Sequence, residues 1–166
     1  MLIAQGIGFI AMFLNILSFQ QNTNKRIVGV QIFKFMFFSV HFFMIGAYTG
    51  AALNLLGLFR NAIFFCRPRK WASNKLWLYF FCVLYIVSGM LTYTDLIDVF
   101  PIFGMLCGTM AVYATNPKIT RRFFFAGSFG WMVYSGVNFS AAGFITAILT
   151  IVSIIIAMVK YDFKKG

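Results

Sequence analysis

Apolar runs of about 18 residues recur along the whole chain, separated by connections too short to fold on their own. Coiled into a helix, a run of that length crosses the hydrocarbon core of a bilayer, about 30 Å thick. Seven such runs can be read, at roughly 2–19, 28–46, 50–66, 76–93, 97–115, 121–138 and 142–160. Only 10% of the 166 residues are charged while 61% are hydrophobic, too little charge to cover a water-soluble surface. The expected fold class is therefore an all-α membrane protein with seven transmembrane helices. The opening Met1-Leu2-Ile3-Ala4 lacks a basic region, so residues 2–19 are read as the first span rather than a secretory leader.

A net charge of +11 raises the question of nucleic acid. Nucleic-acid binders gather Lys and Arg into one patch or arm, whereas here the basic residues stand in small groups at the ends of apolar runs. Membrane lipid is the expected surrounding, and no nucleic acid is expected. Taken in order, the connections carry Lys25 and Arg26, then no basic residue, then Arg67, Arg69, Lys70 and Lys75. Next come Asp95 and Asp98 alone, then Lys118, Arg121 and Arg122, then no charge; the tail adds Lys160, Lys164 and Lys165. Basic and non-basic connections alternate without exception, as the positive-inside rule expects, and the regularity supports the count of seven because losing or gaining one span would break it. The N-terminus is then expected outside and the C-terminus in the cytoplasm.

The polar turn Ser18–Arg26 returns in degraded form at Ala114–Arg122, each time between two apolar runs. Aligning Arg26 with Arg122 sets Gly8 against Gly104. A small gap then sets Tyr48–Ala51 against Ala141–Phe144, His41 against Tyr134, and Asn54 against Ala147. This suggests a three-helix unit used twice: residues 1–70 and 96–166, with a linker span at 71–95. Two odd-numbered units in tandem insert in opposite senses, and one extra helix between them restores a parallel arrangement. The fourth span, poor in polar atoms, is expected to face lipid.

Each helix of the two units has a stripe of small or polar residues at helical spacing. Ala4, Gly8, Ala11, Asn15 and Ser18 form one; Gln31, Lys34, His41 and Tyr48 another; Gly50, Asn54, Gly57 and Asn61 a third. The fifth and sixth spans contribute Gly104, Gly108, Ala111 and Thr115, and Gly127, Trp131, Tyr134 and Asn138. The small members suit helix packing, because lipid supplies no hydrophobic drive between helices. The Gly104–Gly108 GxxxG pair also admits a homo-oligomer. Lys34 and Arg60 lie near a cytoplasmic end and can snorkel. His41 sits deeper; it is either a neutral histidine bonded to a neighbouring helix, through Asn15 or Asn54, or a pocket residue. Asn54 and Asn138 pose the same choice.

The missing chemistry narrows the function. There is no Glu, and Asp95, Asp98 and Asp162 all lie at or beyond helix ends, so no mid-membrane carboxylate can carry a coupling proton. One His and three scattered cysteines, Cys66, Cys82 and Cys107, offer neither a metal set nor a nucleophilic triad. No phosphate-binding glycine loop is present. No enzyme activity, cofactor or metal is expected.

Certain stretches resemble a known family. Gly8, then Ser18-Phe19-Gln20-Gln21 and Lys25-Arg26, then His41-Phe42, Gly46–Asn54 and Phe59-Arg60-Asn61 look like the bacterial YgjV-type inner-membrane proteins. That family is similar to the PQ-loop/SWEET superfamily, whose members join two parallel three-helix bundles through an inverting helix. The resemblance implies a bacterial inner-membrane location and a pocket between the bundles. The Pro-Gln pair of that superfamily is replaced by Gln20-Gln21 and Asn116-Pro117. The function expected is facilitated transport of a small polar solute, sugar-like or another metabolite; aromatic faces and amides suit an uncharged, hydroxylated one, while Arg60 and Lys34 would tolerate an anion. His41, Asn54, Arg60, Asn61, Trp131, Tyr134 and Asn138 are the candidate substrate-binding residues. The alternative is a non-transporting membrane protein that binds a partner protein or lipid.

Overall fold

The computed structural model describes residues 2–19, 24–114 and 116–161. Gln20 and Gln21 of the first turn, Thr115 of the fifth stripe and the tail beyond Tyr161 lie outside them. Seven α-helices run as α1 (Leu2–Phe19), α2 (Asn24–Met44), α3 (Tyr48–Phe65), α4 (Leu76–Leu91), α5 (Val99–Tyr113), α6 (Pro117–Val137) and α7 (Ala141–Tyr161). A single 3-10 turn, Leu96–Asp98, leads into α5, and the described residues contain no strand.

Helix ends follow local chemistry. Asp98 accepts from the Thr94 and Asp95 N–H groups and the Thr94 hydroxyl, closing the turn before α5. Asn116 caps α6 by accepting from Lys118 N–H, and Pro117 fits the first helical position. Both α2 and α6 begin about four residues earlier than their apolar runs, so Lys25, Arg26, Lys118, Arg121 and Arg122 belong to helix N-termini rather than to turns. Cations are disfavoured at that end of the helix dipole. A bilayer boundary, not helix capping, accounts for their position.

The α2–α3 and α6–α7 turns are built alike. Ala47 N–H donates to Phe42 O and Gly46 N–H to Phe43 O; Ser140 N–H donates to Ser135 O and Phe139 N–H to Gly136 O. Both pairs form a Schellman motif, and the left-handed residue is Gly46 (φ 80°) in one and Phe139 (φ 53°) in the other. Flanking bonds, Ile45 to His41 O and Asn138 to Tyr134 O, repeat at the same offset. This is the offset that pairs His41 with Tyr134 in the sequence alignment.

Helix α2 packs on α1 and α3, α6 packs on α5 and α7, and α1 touches α7. Helix α4 leans on α3 and α5, while Leu76, Tyr79, Phe80, Val83, Met90 and Leu91 are exposed, in keeping with the lipid-facing helix expected. Leu78, Phe81, Tyr85 and Gly89 form a buried face, with Ile102 seated in the notch that Gly89 leaves. The small-residue stripe of α1 is buried throughout, from Ala4 to Ser18. Tyr48 leaves its stripe because the chain has already turned at Gly46, and it points outward beside Phe43.

Outward faces are apolar. Phe13, Phe43, Val83 and Ile156 are each more than half exposed, and α7 turns Ile148, Leu149, Val152, Ile155 and Val159 outward. So large an apolar surface is foreign to soluble monomers and suits lipid. By length and composition, Leu96–Tyr113 and Ala141–Val159 can each cross a membrane; Leu2–Ser18, Val28–Met44 and Leu76–Leu91 are apolar but shorter.

Candidate functional site

The helices line a partly open cavity of about 150 Å³. Every helix except α4 contributes to its wall: Asn15 from α1, Lys34 from α2, Asn54 and Arg60 from α3, Gly108 from α5, Trp131 from α6 and Thr146 from α7. Small residues open the space. Gly104 and Gly127 bring α5 and α6 so close that a Cβ on Gly127 would stand 2.9 Å from Gly104 O. Trp131 takes the place a side chain on Gly104 would fill. Phe42 lies beside the indole, with ring centroids 5.6 Å apart, so one side of the cavity is aromatic.

Three of the seven residues singled out from sequence line this space: Asn54, Arg60 and Trp131. Asn54 donates to Gly50 O one turn back on its own helix, at 2.8 Å. Arg60 is 3% exposed, so the snorkelling expected of it does not occur. Its Nη1 donates to the Thr109 hydroxyl of α5 at 2.8 Å, while Nε and Nη2 share Asn61 Oδ1 at 3.3 Å. The guanidinium points inward because those acceptors, and the rings of Phe35 and Tyr85, all lie toward the centre.

The other four bridge or cap helices. His41 is fully buried between α1 and the start of α7. Its Nδ1 lies 2.7 Å from the Ala4 carbonyl, which can only accept, so Nδ1 carries the proton; Nε2 then accepts from the Ser140 hydroxyl at 2.7 Å. Its partners are Ala4 and Ser140, neither of the two asparagines weighed from sequence. Asn61 ties α3 to α2 by donating to Gln31 Oε1. The Tyr134 hydroxyl accepts from Gly50 N–H at 2.8 Å, joining α6 to α3. Asn138 donates to Tyr134 O and closes the end of its own helix.

Sequence reasoning passed over much of the cavity wall. Phe35, Phe38 and Phe42 face it from α2, yet with 23 Phe in the chain a phenylalanine at helical spacing carries no signal. Ser135 also lines it; its hydroxyl is buried and has no hydrogen-bond partner. Lys34, half-buried, was read from sequence as a charge that would tolerate an anionic solute, and it lines the cavity. Its Nζ stands 3.7 Å from the Phe35 ring centroid, and Arg60 Cζ stands 5.5 Å from the same centroid. These distances cap the separation of the two cations at about 9 Å, where like charges repel by about 2 kcal/mol at an effective dielectric of about 20.

Seven packed helices with outward apolar faces and a partly open cavity edged by a few polar side chains define a helical membrane protein. The chain belongs to the Imp-YgjV family, described as bacterial inner membrane protein, whose model matches residues 2–165. No curated protein and no solved structure matches it.

Proposed function

We propose that this protein is a facilitative transporter of a small polar solute, working by alternating access between two parallel three-helix bundles. On this reading α1–α3 and α5–α7 are the bundles and α4 is the inverting link, an arrangement shared with the PQ-loop/SWEET superfamily. The matched turns at Gly46 and Phe139 support a duplicated unit. The alternation of basic connections supports an outside N-terminus and a cytoplasmic C-terminus.

The observation that carries the reading is the cavity. Helices from both halves line it, and the link α4 does not. A binding space at the junction of repeats is where relative motion of the two can expose it alternately to either side. Its walls combine amides, hydroxyls and aromatic faces, the chemistry that holds a small polar molecule.

The test is uptake into proteoliposomes for a panel of polyols, trioses, amino acids and short hydroxy acids. Asn54→Ala and Trp131→Ala are expected to raise KM about tenfold, since each removes a contact worth 1–2 kcal/mol. Well-folded protein that moves nothing on the panel would overturn transport and leave the alternative, a non-transporting membrane protein that holds a partner protein or lipid.

A further inference from the structure

We infer that the solute is a small organic anion, held by Lys34 and Arg60 together. The inference deepens the transport reading and rests on the same cavity, but it is a statement about binding, so the two can fail separately.

Charge comes first. Lys34 and Arg60 both line the cavity and stand over one ring, that of Phe35. Among the described residues no acidic side chain lines it. Asp95 and Asp98 stand in the α4–α5 connection, where Asp98 is spent on backbone and hydroxyl donors from Thr94 and Asp95. Arg60 cannot shed its proton, so the cavity is permanently cationic. Elsewhere in buried protein a charge is matched by a counter-charge; here every hydrogen-bonding partner of Arg60, the Thr109 hydroxyl and the Asn61 amide oxygen, is neutral. Those bonds use three of five guanidinium N–H groups, leaving one on each terminal nitrogen. Lys34 brings its Nζ to the face of the same Phe35 ring. The Arg60 guanidinium and Lys34 Nζ, at most about 9 Å apart and both with donors to spare, describe a site for an oxyanion, whose charge favours the ammonium form of Lys34.

Size comes second. A cavity of about 150 Å³ takes a ligand on the order of six non-hydrogen atoms, the size of benzene, whereas a hexose has about twelve. A short hydroxy- or keto-carboxylate fits that volume. Its carboxylate would meet Lys34 and Arg60, and its remaining polar atoms would meet the unpartnered Ser135 hydroxyl and the wall amides.

The experiment compares lactate and glycerol, near-equal in size and different in charge, with inorganic phosphate as a second oxyanion. Binding to purified protein is read by calorimetry, and flux by uptake into vesicles of phosphatidylcholine. Expected are lactate binding that weakens about tenfold or more in Lys34→Gln, and recovery of lactate binding in Arg60→Lys relative to Arg60→Gln. Lys34→Gln protects the test from misfolding, since Lys34 makes no hydrogen bond to another described residue. Phosphate binding with the same dependence on Lys34 also supports an oxyanion site. Binding and flux of glycerol without lactate or phosphate would overturn the anion and leave transport standing. Lactate binding without flux would uphold the anion site and overturn transport. Stabilisation by added phosphatidylglycerol, with none by the free anions, would assign the cations to a lipid headgroup and overturn the solute.

Discussion

Replacing Tyr134 by Phe isolates one bond between the two halves of the molecule. Gly50 is the third residue of α3, so its N–H is one of the leading donors for which a helix has no carbonyl of its own. The Tyr134 hydroxyl is its acceptor, at 2.8 Å. Phenylalanine keeps the ring against Phe42 and Trp131 and removes only the oxygen. Interhelical side-chain bonds in membranes average about 0.6 kcal/mol and reach about 1.7, because separated helices find other partners. A buried donor left unpaired costs about 1–3 kcal/mol. Gly50 is buried and lacks a second acceptor, so the upper part of the first range applies, and we expect about 1.5 kcal/mol. Reversible unfolding in mixed detergent–SDS micelles measures it. Gly50→Ala should cost more, since its Cβ would stand 2.6 Å from Tyr134 Cε1 and force the ring aside. A Tyr134→Phe protein that unfolds within about 0.5 kcal/mol of the parent would refute the reasoning.

Three further outcomes follow from the same geometry. Phe139 occupies the left-handed region at an exposed turn, so Phe139→Gly should stabilise by about 1 kcal/mol, while Gly46→Ala should lose a similar amount; both are read by the same unfolding assay. Gly130→Ala should destabilise strongly, because its Cβ would meet the Phe100 carbonyl at 2.6 Å, whereas Gly6→Ala, with nothing within 4 Å, should be neutral or gain up to about 1 kcal/mol from helix propensity. In a background freed of native cysteines, Ser73→Cys should label only after the membrane is permeabilised and Thr94→Cys from the outside of intact cells; the reverse would overturn the proposed topology.

The small-residue stripes were legible because membrane helices must approach closely somewhere, and only Gly, Ala and Ser allow it. Gly8 shows the rule: a Cβ there would lie 2.8 Å from the Ala142 Cβ and 2.9 Å from His41 Nδ1. Polar residues carried less information. His41 and Asn54 both read as intramembrane polar groups, yet one locks three elements together and the other faces a cavity. Nothing within either helix separates the two cases, because the difference lies in what stands opposite.

The linear order of residues by itself determined seven helices, the alternation of basic and non-basic connections and the faces too small or polar for lipid, since these depend on a residue and its near neighbours in the chain. Tertiary structure alone decided that Arg60 turns inward to Thr109 and shares the Phe35 ring with Lys34, that α4 has a buried face, and that Phe42 and Ser135 border the cavity. Those facts depend on partners from other helices, and hydrophobic periodicity has no record of which helix comes to lie beside which.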